Sequence, residues 1–327
     1  MMQSFLGSDG SLASDVEDFM PDREIGFDYQ INHMNLLNGE FLAKKFTLVE
    51  DRKGNPGVFG DLLVTNLRVM WIQDKMPRVN LSIGYNVFLK MALVQPEKNV
   101  DSEHVQIKAF HGDSRYEFFF YRKKNTQGTF DILPKIYNAY DASRGFRELM
   151  IRKIISHGGQ LTLYDKEKII KQYPNVWNLG KTEGKLGRFY FTNIRVVWIS
   201  NTNENFNISI PYVRILKVSS KNSNFGEAIG FLTSRHFGGL DIGFKIDSVD
   251  FKSALNEINR TWDSYRKQPY LGISETISSE TNTNFGSMKK NYFAESELLD
   301  MGYNEDQNIR AIYSVETQGS SSEVDIH

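Results

Sequence analysis

Between residues 62 and 86 the chain alternates. Leu67, Val69 and Trp71 stand at every second position with Arg68, Met70 and Ile72 between them. After a polar turn, Val79, Leu81, Ile83 and Tyr85 alternate with Asn80 and Ser82. A period of two belongs to a half-buried strand, whose successive side chains point to opposite faces of a sheet. The pattern recurs later. Ile194, Val196 and Trp198 alternate with Arg195, Val197 and Ile199, and Phe206, Ile208, Ile210 and Tyr212 follow with Asn207 and Ser209 between them. In both places the first strand is apolar on its second face too, and such strands are normally covered on both sides. Arg68, Met70, Ile72, Arg195, Val197 and Ile199 are therefore interface candidates, expected to pack on the other copy, a helix or a partner.

The two regions are one pattern written twice. Shifted by 127, residues 60–93 align with 187–220 without a gap, and 13 of 34 positions are identical. That period is too long for a solenoid, so each copy is expected to be a whole domain. The shared Thr-Asn before each Arg-Val-x-Trp predicts a tight hairpin, in which Asn takes the left-handed conformation. Gly60 and Gly187 read as backbone requirements of the preceding strand.

Each copy ends in a 3.6-residue pattern. Phe130, Leu133, Ile136, Tyr137 and Tyr140 share one helix face, as do Phe251, Leu255, Ile258, Trp262 and Tyr265. Pro134 sits in a first turn, where it is tolerated. The fold expected is mainly β with C-terminal helices: tandem small barrels, each of about seven strands and capped by one amphipathic helix. The divisions expected are an acidic, disordered extension over 1–27, domains over 28–147 and 148–267, and an acidic tail with a short helix over 268–327. The short connection "DASRGFR" favours packed domains.

Charge changes the picture in one respect. Residues 1–29 carry −6, residues 30–267 carry +12 and residues 268–327 carry −7, so a basic body stands between two acidic tails. A basic body attracts anionic lipid, nucleic acid or acidic protein. There are no cysteines, which excludes disulfides, thiolate metal sites and a cysteine nucleophile. The N-terminus has neither the basic nor the apolar region of a signal peptide, and no apolar run approaches a membrane span. A cytoplasmic protein is expected.

Gly-x-x-x-x-Thr-Asn-x-Arg-Val-x-Trp, as it stands at 60–71 and 187–198, resembles the core of GRAM and other pleckstrin-homology-like domains. "LLVTNLRVMW" (62–71), "RVNLSIGYN" (78–86), "VWNL" (176–179), "FNISIPY" (206–212), "NFGEA" (224–228) and "GFKID" (243–247) together resemble one family: that of the fifth Bardet–Biedl syndrome protein, a subunit of the BBSome. The resemblance spans roughly 40–270. It implies tandem pleckstrin-homology-like barrels in a non-enzymatic subunit of a ciliary trafficking coat. It also implies phosphoinositide binding and a place at the cilium or flagellum, the basal body and the ciliary membrane surface. The implied partners are other BBSome subunits, anionic membrane lipids and ciliary membrane-protein cargo. The alternative is a stand-alone phosphoinositide-binding adaptor.

In such domains the lipid site lies at the open end of the barrel, where the loop after the first strand supplies Lys and Arg. The candidates are Arg52 and Lys53 with Lys44 and Lys45 before them, and Lys181, Lys185 and Arg188 in the second copy. Arg122, Lys123 and Lys124 lie ahead of the first helix. Each cation near an anionic surface contributes about 1 kcal/mol, so four to six suffice for weak docking.

Other chemistries are not supported. "LGKTEGK" (179–185) lacks the first glycine of a phosphate loop, since position 175 is Asn, and it precedes a strand. The six histidines are scattered, so no metal site or cofactor is expected, and no nucleophile elbow appears. Nucleic-acid binding has the charge but no recognition helix or basic-aromatic sheet face. "LLDMGYNEDQNIRAI" (298–312) resembles the first two helices of a ubiquitin-associated domain but lacks a third. It reads instead as a short acidic helix, docking onto a partner or flexible in solution.

Overall fold

The computed structural model describes residues 20–94, 102–123, 129–179, 184–223, 226–235, 238–274 and 307–315. The acidic extension expected over 1–27 lies outside them up to residue 19, as does most of the C-terminal tail. The described residues form two units: 21–143 with those of 271–315, and 144–270 with Met20.

The first unit is an eight-stranded antiparallel sheet. Its strands are β1 (Ile25–Phe27), β2 (Leu42–Asp51), β3 (Phe59–Thr65), β4 (Arg68–Gln73), β5 (Asn80–Gly84), β6 (Phe88–Val94), β7 (Ser102–His111) and β8 (Ser114–Lys123), in the order β1-β5-β4-β3-β2-β8-β7-β6. The short α1 (Ile31–Met34) follows β1, and α2 (Ile132–Ala142) follows β8. Strands β5 and β6 do not pair. A single turn, Tyr85–Val87, joins them, and α2 covers that corner. Tyr140 and Tyr137 lie 5.3 and 6.0 Å from the Tyr85 ring, and Tyr137 stacks on Phe88 at 5.4 Å. Leu133 and Ile136 of the same face are wholly buried. Burial of such a side chain contributes about 1.5–3 kcal/mol, which is what holds an eleven-residue helix in place.

The second unit repeats the plan with β9 (Met150–Ile151), the hairpin β10 (Ser156–His157) and β11 (Gln160–Leu161), then β12 (Ile169–Leu179), β13 (Lys185–Thr192), β14 (Arg195–Ser200), β15 (Asn207–Pro211), β16 (Ile215–Ser223), β17 (Gly226–Thr233) and β18 (Asp241–Lys245). The main sheet runs β16-β17-β18-β12-β13-β14-β15-β9. Helix α3 (Ser248–Lys267) closes it, with Phe251, Ala254, Ile258, Trp262 and Tyr265 set into a core that holds Trp198, Phe189 and Phe244. Its first turn is capped by Asp247, which accepts from the Val249 N–H. The chain is thus mainly β with a helix on each sheet.

Three expectations are corrected. The sheets carry eight strands because the segment before each copy adds one: β1 pairs with β5, and β9 with β15. The Thr-Asn turns do not use left-handed asparagine, since neither Asn66 nor Asn193 has positive φ. Instead Thr65 Oγ1 accepts from the N–H groups of Leu67 and Arg68, while the Asn66 amide clasps the incoming strand, accepting from Phe41 N and donating to Gly39 O. Thr192 and Asn193 repeat this on Ile194, Arg195, Lys168 and Lys166.

The third correction concerns the doubly apolar strands. Met70 and Ile72 are buried with Leu63 under Met34, Tyr29 and Leu36, which belong to or flank α1. Val197 and Ile199 are buried with Tyr190 under Ile155 and Leu161, around the β10–β11 hairpin. Each copy therefore covers its second face with its own preceding segment. Arg68 and Arg195 are completely enclosed as well, so none of the six interface candidates is presented to a partner.

Candidate functional site

The β2–β3, β4–β5 and β7–β8 turns lie at one end of the first unit, its mouth. The β2–β3 and β4–β5 turns are neighbours because β2–β3–β4 is a continuous antiparallel meander, in which Asp74 N donates to Phe59 O, and β8 pairs on the other side of β2, where Arg52 N donates to Phe119 O.

Asp51 organises the β2–β3 turn. Its carboxylate is buried, and it accepts from the N–H groups of Lys53 and Gly54 at 3.3 Å and from Asn55 Nδ2 at 2.9 Å. Glu50 accepts from Gly57 N, which has the positive φ of a glycine turn. The fold behind the turn is set by a bulge in β2, where Leu48 takes a φ of 56° and the freed Val49 carbonyl accepts the Trp71 indole N–H at 2.9 Å. The second unit has the same bulge at Asn175 (φ 57°), with Trp198 donating to Val176 O.

The expected basic residues are placed unequally. Arg52 is exposed, stacked over Tyr121 with its guanidinium 3.8 Å from the ring centroid and paired with Glu50. Lys53 is half-buried, 3.6 Å from a Glu117 carboxylate oxygen. Lys45 pairs with Asp61. Lys44 is buried on β2. Arg122 faces inward, opposite Glu103 in the β7–β8 register. It pairs with that carboxylate at 2.8 Å and lies over the Phe46 and Phe130 rings. Strand alternation turns both Lys44 and Arg122 inside, away from the surface where the expected lipid site would lie. Lys123 is exposed. Lys124 and Lys181 lie outside the described residues. In the second unit Lys185 is exposed over Phe206, and Arg188 donates to the Gly159 carbonyl of the β10–β11 hairpin. Most of these cations are therefore engaged within the chain.

Two features of the mouth add to the sequence expectations. The β4–β5 turn presents Lys75, Met76 and Arg78, all exposed, Met76 by 54%. Its signal was legible: a basic pair flanking Met-Pro between two clear strands. The other is α4 (Gln307–Tyr313), a short helix of the kind expected in the C-terminal tail, whose seat was not expected. Tyr313 enters the mouth, its ring 5.1 Å from both Phe27 and Phe118 and its hydroxyl donating to Asp51. Burial first, and then the Asp51 charge, push that hydroxyl far above the ordinary tyrosine range, so it remains a donor. No local pattern points to this contact, which spans 262 residues.

Among the described residues no group of His, Asp and Glu is placed to hold a metal ion, and no helix is long and apolar enough to cross a membrane.

Comparison with known proteins gives consistent matches along the chain. Residues 40–142 match the family model of the Bardet-Biedl syndrome 5 protein N-terminal PH-like domain, and residues 150–275 match that of its second PH-like domain. The chain is 35% identical over 266 residues to "BBSome complex member BBS5" of Danio rerio, covering 80% of this chain and 78% of that protein. It is 34% identical over 256 residues to the Homo sapiens protein of the same name, covering 77% and 75%. To "BBSome complex member bbs-5" of Caenorhabditis elegans it is 33% identical over 270 residues, covering 79% and 75%.

Proposed function

The chain belongs to the Bardet-Biedl syndrome 5 protein family, and from that premise we propose that it is a non-enzymatic subunit of the BBSome, working in ciliary membrane-protein traffic. The observation that carries this reading is the order and extent of the likeness: two PH-like domains, first and second, in sequence, with about a third of the residues shared over most of each relative's length. Its contribution is assembly, through surfaces other than the enclosed strand faces. Tagged purification from ciliated cells tests it. Near-stoichiometric recovery of the other BBSome subunits is expected, and recovery of the chain alone would overturn it.

A second reading, compatible with the first, is contact with phosphoinositide-bearing membrane at the mouth of the first unit. Its support is the β4–β5 turn, where exposed Met76 stands between Lys75 and Arg78, with exposed Arg52 on the β2–β3 turn at the same end. An apolar tip between cations suits a headgroup boundary, with about 1 kcal/mol from each cation. Sedimentation with phosphatidylcholine vesicles with and without phosphatidylinositol phosphate checks it. Lys75→Glu with Arg78→Glu is expected to abolish the phosphoinositide-dependent part. Unchanged binding would place the lipid contact elsewhere.

A further inference from the structure

The mouth of the first unit contains a seat shaped for a tyrosine. The Tyr313 ring lies among Phe27, Phe118 and the β2–β3 turn, and its hydroxyl donates to Asp51 and receives Asn55 Nδ2 at 3.4 Å. The backbone around it is held too. Val315 N donates to Arg115 O at 2.9 Å, Ser314 bridges Tyr116, and Lys53 Nζ donates to the Tyr313 carbonyl at 3.4 Å. Gly54 completes the seat: a methyl group built there would collide with the Tyr313 hydroxyl. The glycine thus admits the phenol.

The segment is also built to leave. Of residues 311–315 only Tyr313 is buried, with Ile312 47% and Val315 45% exposed. A helix of seven residues is too short to persist without its anchor. The tail that carries it has a net charge of −7, which sets like charge against any anionic surface approaching the mouth.

We propose that this mouth is a binding site for a tyrosine at the end of a helical turn, that residues 307–315 are its resident ligand, and that they must leave before Lys53 and the β2–β3 turn reach a lipid phosphate. The last clause rests on the membrane reading above, whereas the seat does not.

The test uses the full chain and two readouts. Hydrogen exchange compares the wild type with Tyr313→Ala, Tyr313→Phe and Gly54→Ala. Release of the segment is expected to speed exchange at the Lys53, Gly54 and Val315 amides by about tenfold or more in Tyr313→Ala and Gly54→Ala, and by less in Tyr313→Phe. Gly54→Ala keeps the tyrosine and fills its seat, so a folding defect special to Tyr313→Ala is recognised; because its methyl would also stand 2.8 Å from Asp51 Oδ2, the Val315 amide, outside the β2–β3 turn, is the one that reads release. Unchanged exchange in both would overturn the seat. Vesicles of phosphatidylcholine with phosphatidylinositol phosphate then read the gate. If the mouth is open about a tenth of the time in the wild type, the two release variants bind roughly tenfold more tightly. Raised exchange with equal vesicle binding would overturn the gate. Raised exchange with no vesicle binding by any form would overturn the membrane reading and leave the tyrosine seat standing.

Discussion

Arg68 meets Glu40 in a sealed, two-pronged ion pair, its Nε 2.9 Å from Oε1 and an Nη 3.2 Å from Oε2, with neither side chain open to solvent. The remaining guanidinium N–H groups go to the carbonyls of His33 and Asn35 and to Ser82 Oγ, and Glu40 also accepts from Thr65 and Leu37. The pair therefore ties the covering segment around α1 to the strand beneath it. Arg195 and Glu167 do the same in the second unit, with Ser209, Thr162 and Tyr164 N as the further partners.

A buried ion pair is costly to assemble and costlier to halve. Arg68→Met leaves Glu40 charged and enclosed, and it is expected to lose about 3–5 kcal/mol by chemical denaturation. Adding Glu40→Leu should recover much of that, because the lone carboxylate goes with it. A double variant no more stable than the single one would remove the pairing from this account.

The paired device shows what a reader of the sequence can and cannot see. The alternation at 67–72 and 194–199 placed both strands, because a sheet face imposes its period on the residues it buries. Glu40 and Glu167 stand at the same offset of 127 as Arg68 and Arg195, so extending the repeat backward would have linked them. The cover itself was not legible. It is a helical turn in one copy and a hairpin in the other, and the same apolar face accepts either. Alternation could equally have exposed Arg122, yet its register opposite Glu103 turns it inward. The Tyr313 contact joins the two ends of the fold, where no sequence period operates.

Leu48 holds a left-handed φ of 56° at the β2 bulge and is 60% exposed. A branched side chain pays about 1–2 kcal/mol for that conformation, and its exposure returns little. The second unit has Asn175 at the equivalent point, φ 57°. Leu48→Asn is therefore expected to raise stability by about 0.5–1 kcal/mol, read as a higher denaturation midpoint with an unchanged slope. A lower midpoint would show that Leu48 contributes packing that its exposure conceals.

Alkaline pH should unfold the protein through its enclosed tyrosines. Tyr85 and Tyr212 donate to the carbonyls of Thr65 and Thr192. Burial first, then Glu40 and Glu167 respectively, raise both hydroxyls well above 10.0. A raised folded value means that the stability they contribute is whole below the unfolded value near 10 and is lost as pH climbs beyond it. Denaturation midpoints are expected to hold steady from pH 8 to 9 and to fall above about 10, by up to about 1.4 kcal/mol per pH unit for each such tyrosine. Phenolate absorbance from these two residues should appear only with unfolding. Its appearance in the folded protein would contradict the enclosure.

Gly60 and Gly187 offer the sharpest test of the duplicated core. Neither has positive φ, so conformational freedom does not explain them. Each lies where the following strand brings a tryptophan ring across its Cα: a methyl group at Gly60 would stand 2.9 Å from Trp71 Cε2, and one at Gly187 2.6 Å from Trp198 Cε2. Both would also meet the backbone carbonyl of the paired strand, at Ile72 and Ile199, and backbone cannot rotate aside. Overpacking of this kind costs about 1–3 kcal/mol. Gly60→Ala and Gly187→Ala are expected to destabilise by that amount. Gly112→Ser, which meets open space in a turn, should lose only about 1 kcal/mol through its positive φ. Because each tryptophan also donates to the bulge carbonyl behind it, the alanine variants should shift the indole emission before any global unfolding. An unchanged emission with lost stability would place the damage in the strand pairing alone.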